Sequence, residues 1–172
     1  MTTTNLLVAC ILDSILGDPR WLPHPVRGLG WIIGLTDRYA RQCFVSPGWQ
    51  VGVGIVIAIG LPTLAFCICW WILPVGYEVH PLLGNFLWVV MGYTTLAARD
   101  LAVHALAVEH AIIHDSIHVA RSAVSRIVGR DTDYLSESEI VRASVETVAE
   151  STCDGVISPL FYLAIGGPPL AK

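Results

Sequence analysis

The sequence predicts an all-α protein, a polytopic helical membrane protein with a transmembrane hairpin and cytoplasmic amphipathic helices. Three observations carry that expectation. Of the 172 residues 54% are hydrophobic and only 14% charged, whereas an ordinary soluble domain carries roughly 25% charged residues. Val51 to Leu73 is an uncharged run of the ~20 apolar residues that cross a bilayer as a helix. Arginines crowd both flanks of the apolar region and are missing from its middle, the asymmetry that orients membrane helices.

Along the chain, the N-terminus lacks a basic leader and carries Asp13 within its short apolar stretch, so it is expected to stay in the mature protein. A loop punctuated by proline and glycine follows. The first span is placed at 51–73 and, after the turn-like PVGYEV, a second at 80–98, with Trp70, Trp71, Tyr77 and Trp88 as interfacial aromatics. Arg20, Arg27, Arg38 and Arg41 precede the hairpin, and Arg99, Arg121, Arg126, Arg130 and Arg142 follow it. Both flanks are therefore expected in the cytoplasm and the turn outside.

From Arg99 to Val128 apolar residues recur on one helical face, opposite Asp100, His104, His110, His114, Asp115, His118, Arg121 and Ser125. One long helix, continuous with the second span, is the expectation. GRDTDYL interrupts it. Ser136 and Glu139 then have the spacing of a capping box, opening a helix expected to end at Asp154-Gly155. The last apolar stretch, VISPLFYLAIGG, is too short to span and contains Pro159, so it reads as buried or re-entrant. Residues 1–172 form a single membrane domain on this reading, with a cytoplasmic helical region over 99–155.

Partner classes can be narrowed. A formal net charge of −4 with no basic stripe argues against nucleic acid, and membrane lipid is the expected surroundings. Five cysteines, with Cys67 and Cys69 inside the apolar run, lack paired metal-type spacing and read as reduced packing residues.

Four constellations could carry chemistry. Asp18, Arg20 and His24 sit in the loop held stiff by prolines 19, 23 and 25; a plain helix connection would look the same. Arg142, Glu146, Glu150 and Asp154 recur every fourth residue and would stack on one face. The carboxylates suit Mg²⁺ carried by a nucleotide, and equally an ordinary solvated face. Arg130 and Asp131 of GRDT could clamp and orient an anion, though turns share this pattern. His110, His114 and His118 share a helix face but converge poorly on one ion, so no metal ligand is assigned.

The blocks LDSILGDPRWLPHPVRGLGWIIG and VGRDTDYLSESEIVRASVETVAESTCDGVISPLFYLAIGG resemble the adenosylcobinamide-phosphate synthase family of cobalamin biosynthesis. The resemblance implies a multi-pass inner-membrane ligase. It would use ATP and Mg²⁺ to join aminopropanol or its O-phosphate to the free propionate of a corrinoid, adenosylcobyric acid. Transferred to matching positions, it implies catalytic roles for Glu146, Glu150 and Asp154, and substrate binding by Asp18, Arg20, His24, Arg130 and Asp131. Other membrane proteins of the cobalamin pathway are further implied partners. Two departures stand out: Ser151 replaces the usual asparagine, and family members continue well beyond Lys172, so an N-terminal portion is expected. A non-catalytic membrane scaffold, or an inactive fragment of such an enzyme, is the alternative.

Overall fold

The structure, a computed structural model, describes residues 2–17, 25–43 and 47–171. These are all-helical, with no strand among them. Two stretches, Gly48–Val79 and Pro81–His114, are long and apolar enough to cross a membrane. The first lies in α3 (Pro47–Val79), which contains the expected span and exceeds it at both ends. Its 33 residues reach about 50 Å, against ~30 Å of hydrocarbon. None of its most apolar stretch is buried within the chain, and Val56 and Trp71 are 70% and 72% exposed. A soluble core helix would be covered; this one presents its apolar surface outward.

The second stretch departs from the expectation. After the single residue His80, whose ring Nδ1 accepts the Leu82 N–H at 3.1 Å, α4 (Pro81–Tyr93) stops five residues short of Ala98. The hydroxyls of Thr94 and Thr95 donate back to the carbonyls of Met91 (3.0 Å) and Gly92 (2.6 Å), offering those carbonyls partners other than the next helical turn. The chain re-enters helix as α5 (Ala98–His114). α3 and α4 lie against each other across His80, with Gly84 directly under the Tyr77 ring, so that a Cβ there would collide with ring carbons.

α1 (Thr2–Leu16) runs beside α4 in the same direction: Asn5 Nδ2 donates to Asn85 Oδ1 (3.0 Å), and Ala9 lies at Gly92. Tyr77 Oη donates to the same Asn85 oxygen at 3.0 Å. One amide thus ties three apolar helices, the use of polar groups expected where packing supplies no hydrophobic driving force. At the far end of α1, Asp13, only 2% exposed, accepts the Ala98 N–H through Oδ2 at 3.0 Å. A carboxylate from α1 therefore caps the positive end of α5. Gly17, at φ +62°, closes α1 with its N–H on the Asp13 carbonyl (2.9 Å). Its own carbonyl accepts the Tyr93 hydroxyl. Arg99 packs over Gly17 and donates to the Ser14 carbonyl at 2.9 Å.

α2 (Pro25–Cys43) packs on α3 and is amphipathic, with Trp31, Ile33 and Tyr39 exposed and Arg41 paired to Asp37 at 2.9 Å. Beyond α4 a second core forms. The single helix expected over 99–128 is two, because Asp115 and Ser116 adopt extended backbone and Ser116 stands at the N-cap of α6 (Ile117–Val124). α6 folds back so that Val108 and Ala111 meet Ala120, Val124, Ile140 and Ala143. α7 (Glu137–Thr152) opens with the expected capping box, in which Glu139 accepts from the Ser136 N–H (2.8 Å) and hydroxyl (2.6 Å).

The helix does not end at Asp154-Gly155. It passes through a π-helical turn, Cys153–Ile157, into α8 (Ser158–Gly166), the backbone staying helical at both joins. Pro159 is the reason: in a regular α-helix its ring would strike the Gly155 carbonyl and it has no N–H to offer that carbonyl. Widening by one residue relieves the clash, and the freed Gly155 carbonyl accepts the Ala97 N–H at 3.1 Å. The final apolar stretch is thus a helix, which buries Pro159 and Leu163 while Phe161 and Ile165 stay exposed. Pro168 and Pro169 of α9 (Pro168–Ala171) are buried too. Cys10, Cys67 and Cys153 carry free thiols.

Asp13→Ala leaves the Ala98 N–H buried without its charged acceptor. The substitution is expected to destabilise the protein by about 2 kcal/mol, with Asp13→Asn milder. Unfolding in detergent, followed by circular dichroism, measures it; wild-type stability in Asp13→Ala would refute the capping role.

Candidate functional site

The α4–α5 break, the end of α6 and the π-helical turn enclose an open cleft of about 470 Å³. The first turns of α5 contribute Ala97, Asp100, Leu101 and His104; Arg126 and Ile127 come from the segment after α6; Glu150, Ser151, Asp154 and Gly155 come from α7 and its wide turn. The Ala97–Gly155 hydrogen bond holds two of these walls together, and Ala97 Cβ stands 3.5 Å from where a Gly155 Cβ would be. A cleft of this size falls in the roughly 300–1,000 Å³ class that takes small ligands.

His104 is half-buried and fixed by its own helix. Its Nδ1 lies 2.8 Å from the Asp100 carbonyl oxygen and 3.5 Å from Asp100 Oδ2. A carbonyl can only accept, so Nδ1 is the donor in this contact, and in the neutral ring Nε2 is the acceptor.

The expected carboxylate row divides. Glu150 and Asp154 line the cleft; Glu146 does not. Glu146 Oε1 accepts from Arg142 Nε at 2.8 Å, and its Oε2 lies 3.7 Å from Arg130. The Arg142 hydrogen bond holds the Glu146 carboxyl below the usual carboxylate range, and the charges of Arg142 and Arg130 lower it further against desolvation. Arg130 therefore meets a carboxylate of α7 outside the cleft lining. Asp131 shapes its own loop, accepting the Asp133 N–H through Oδ1 at 3.1 Å. The loop is held down by Thr132, buried and donating to the Arg121 carbonyl (3.2 Å), while Arg121 Nε donates to the Leu135 carbonyl (2.9 Å).

Asp18, Arg20 and His24 lie outside the described residues. Asp100, His104 and Arg126 are the cleft residues that sequence reasoning did not single out as a site. The i,i+4 spacing of Asp100 and His104 on the polar face of α5 was the available signal; nothing local linked them to α7. The rings of His110 and His114 meet tilted by 51° at 4.7 Å between centroids, whereas His118 lies in the first turn of the next helix. Among the described residues no three His, Cys, Asp or Glu side chains converge to hold a metal ion. The cleft thus offers carboxylates to a cation, an imidazole to a proton and one guanidinium to an anion.

Comparison with known proteins places this geometry in a family. Residues 6–172 match the family described as CobD/Cbib protein. The chain is 42% identical to the cobalamin biosynthesis protein CobD of Klebsiella pneumoniae subsp. pneumoniae, over 99% of this chain and 54% of that protein. It is 41% identical to the cobalamin biosynthesis protein CbiB of Salmonella typhi, over 99% and 54%. It is likewise 41% identical to CobD of Geobacter metallireducens, over 96% and 51%. No solved structure matches the chain. It spans about half the length of these relatives, and with this extent of similarity the chain belongs to the CobD/CbiB family.

Proposed function

We propose that the chain belongs to a multi-pass cell-membrane enzyme of cobalamin biosynthesis, an adenosylcobinamide-phosphate synthase. Its reaction is the ATP-dependent attachment of aminopropanol, or its O-phosphate, to the free propionate of adenosylcobyric acid. The pathway is supported by the names of the relatives. The observation that carries the location of the chemistry is the cleft itself. There Glu150, Ser151, Asp154 and Gly155, from the block most like the synthase family, face Asp100 and His104 across the α5–α7 junction.

A carboxylate does not condense with an amine in water, so the propionate must first be activated. In this reading its oxygen attacks the γ-phosphorus of ATP, giving an acyl phosphate and ADP; the amine then displaces phosphate. The donor set suits Mg²⁺ as a nucleotide brings it, since such ions need only one or two protein carboxylates beside phosphate oxygens. Glu150 and Asp154 would supply them, and Arg126 would face phosphoryl oxygens. Glu146 holds Arg142 and Arg130 in place rather than touching substrate. Asp18, Arg20 and His24 position substrate in this scheme; in the sequence they follow Gly17, which Tyr93 and Arg99 fasten to the same junction as the cleft.

The arginine distribution supports cytoplasmic placement of both flanks. In a cysteine-free full-length background, a cysteine at Glu78 should react with an impermeant thiol reagent on intact cells. One at Ser136 should react only after permeabilisation. The reverse pattern would put the cleft on the wrong side for cytoplasmic ATP.

Two substitutions separate the divided row. In the full-length enzyme, Glu150→Gln is expected to lower amide formation from adenosylcobyric acid by about 100-fold or more, with membrane insertion intact. Glu146→Gln should cost far less, because its partners are surface arginines. Product formation can be followed by chromatography of the corrinoids; equal turnover by both variants would remove Glu150 from the site.

A further inference from the structure

We infer that His104 is the general base that takes the proton from the attacking amine, with Asp100 as its positioning residue. The inference rests on the synthase reading and adds the step at which nitrogen becomes a nucleophile. A primary alkylamine is protonated at neutral pH, as lysine is with a pKa of ~10.4. It has no lone pair to attack with until a base removes a proton. Its nitrogen must then shed a second proton as the amide forms.

The geometry of His104 meets that requirement. The Asp100 carbonyl, 2.8 Å from Nδ1, fixes the tautomer and leaves Nε2 as the acceptor. The Asp100 carboxylate, 3.5 Å from the same nitrogen, stabilises the imidazolium formed when Nε2 takes the proton. The ring lines the cleft with Glu150 and Asp154 from α7 and its π-helical turn and Arg126 from the segment after α6. Those carboxylates suit an incoming ammonium before it is deprotonated. The step balances: the ammonium gives its first proton to Nε2, the freed amine nitrogen bonds to the acyl carbon as the carbon–oxygen bond to phosphate breaks, and inorganic phosphate leaves with that electron pair and takes the nitrogen's second proton, departing as hydrogen phosphate.

The test uses the full-length enzyme with ATP, adenosylcobyric acid and one of two nucleophiles. Aminopropanol must be deprotonated; hydroxylamine is already neutral at pH 7 and traps an acyl phosphate as a hydroxamate without a base. His104→Gln is expected to lower amide formation at pH 7 by about 100- to 10,000-fold, with hydroxamate formation within a few-fold of wild type. The deficit should shrink as pH rises and free amine accumulates. Asp100→Asn keeps the backbone carbonyl and removes only the carboxylate. It should lower kcat for amide formation with the KM for aminopropanol little changed, and leave hydroxamate formation unchanged. Equal loss of both products in His104→Gln, or unaltered amide formation in either variant, overturns the assignment while leaving the synthase reading standing. Wild-type enzyme that forms neither product overturns both.

Discussion

Two consecutive backbone N–H groups, those of Ala97 and Ala98, hold the architecture together. At the start of a helix such donors have no intrahelical acceptor, and each is claimed here by a different part of the chain. Ala97 donates to the Gly155 carbonyl that Pro159 leaves free, and Ala98 to the buried Asp13 carboxylate. The break that ends α4 is thereby turned from a cost into a joint, binding α1, α4, α5 and the α7–α8 helix at one point. The cleft opens beside that joint because the same π-helical turn that accommodates Pro159 carries Asp154 and Gly155.

Two cores meet there, and they are of different kinds. One surrounds Trp88, Tyr93, Leu73 and Leu163 and belongs to helices whose outer faces are themselves apolar. Such faces are stable in lipid, where every backbone group must find its partner inside the protein. The Asn5–Asn85–Tyr77 cluster meets that demand for side chains. The other core joins Val108, Ile140 and Val124, and the outer faces of its helices mix charged residues with the exposed Leu106, Ile113, Val141 and Val145. A site at the boundary can anchor its walls in the first core while its reactive groups stand on elements of the second.

What was legible in the sequence follows the range of the interactions responsible. The apolar run of α3 and the capping box at Ser136 and Glu139 are local, and a sequence displays them directly. The stop at Tyr93 rests partly on threonine hydroxyls returning to their own turn, which sequence could suggest, and partly on Asp13, 85 residues from the N–H it receives. The π-helical turn is similarly remote: Asp154-Gly155 reads locally as a helix end, and the Gly155 carbonyl that the turn frees finds its donor in the distant Ala97 N–H. In the site, Glu150 and Asp154 were visible as part of a row. Glu146 was visible in the same row but stands outside the cleft lining, paired first with Arg142 of its own helix and then with Arg130 of the GRDT loop. Asp100 and His104 were visible as a polar face and became wall residues through the packing of α5 on α7.

The charge of the cleft narrows what can enter it. Asp100, Glu150 and Asp154 bring three formal negative charges, and Arg126 returns one positive. A bare phosphate would meet net repulsion, which in a partly desolvated cleft is stronger than in bulk water. A phosphate chain carrying its own divalent cation would not, because the cation is what the carboxylates bind. An alkylammonium fits the same field for the same reason. Under the proposed ATP-dependent amide synthesis, the two cosubstrates would make compatible electrostatic demands on this one surface, although the activated corrinoid would be anionic. Arg126 sits among the carboxylates where an anion admitted with a cation would still need a donor.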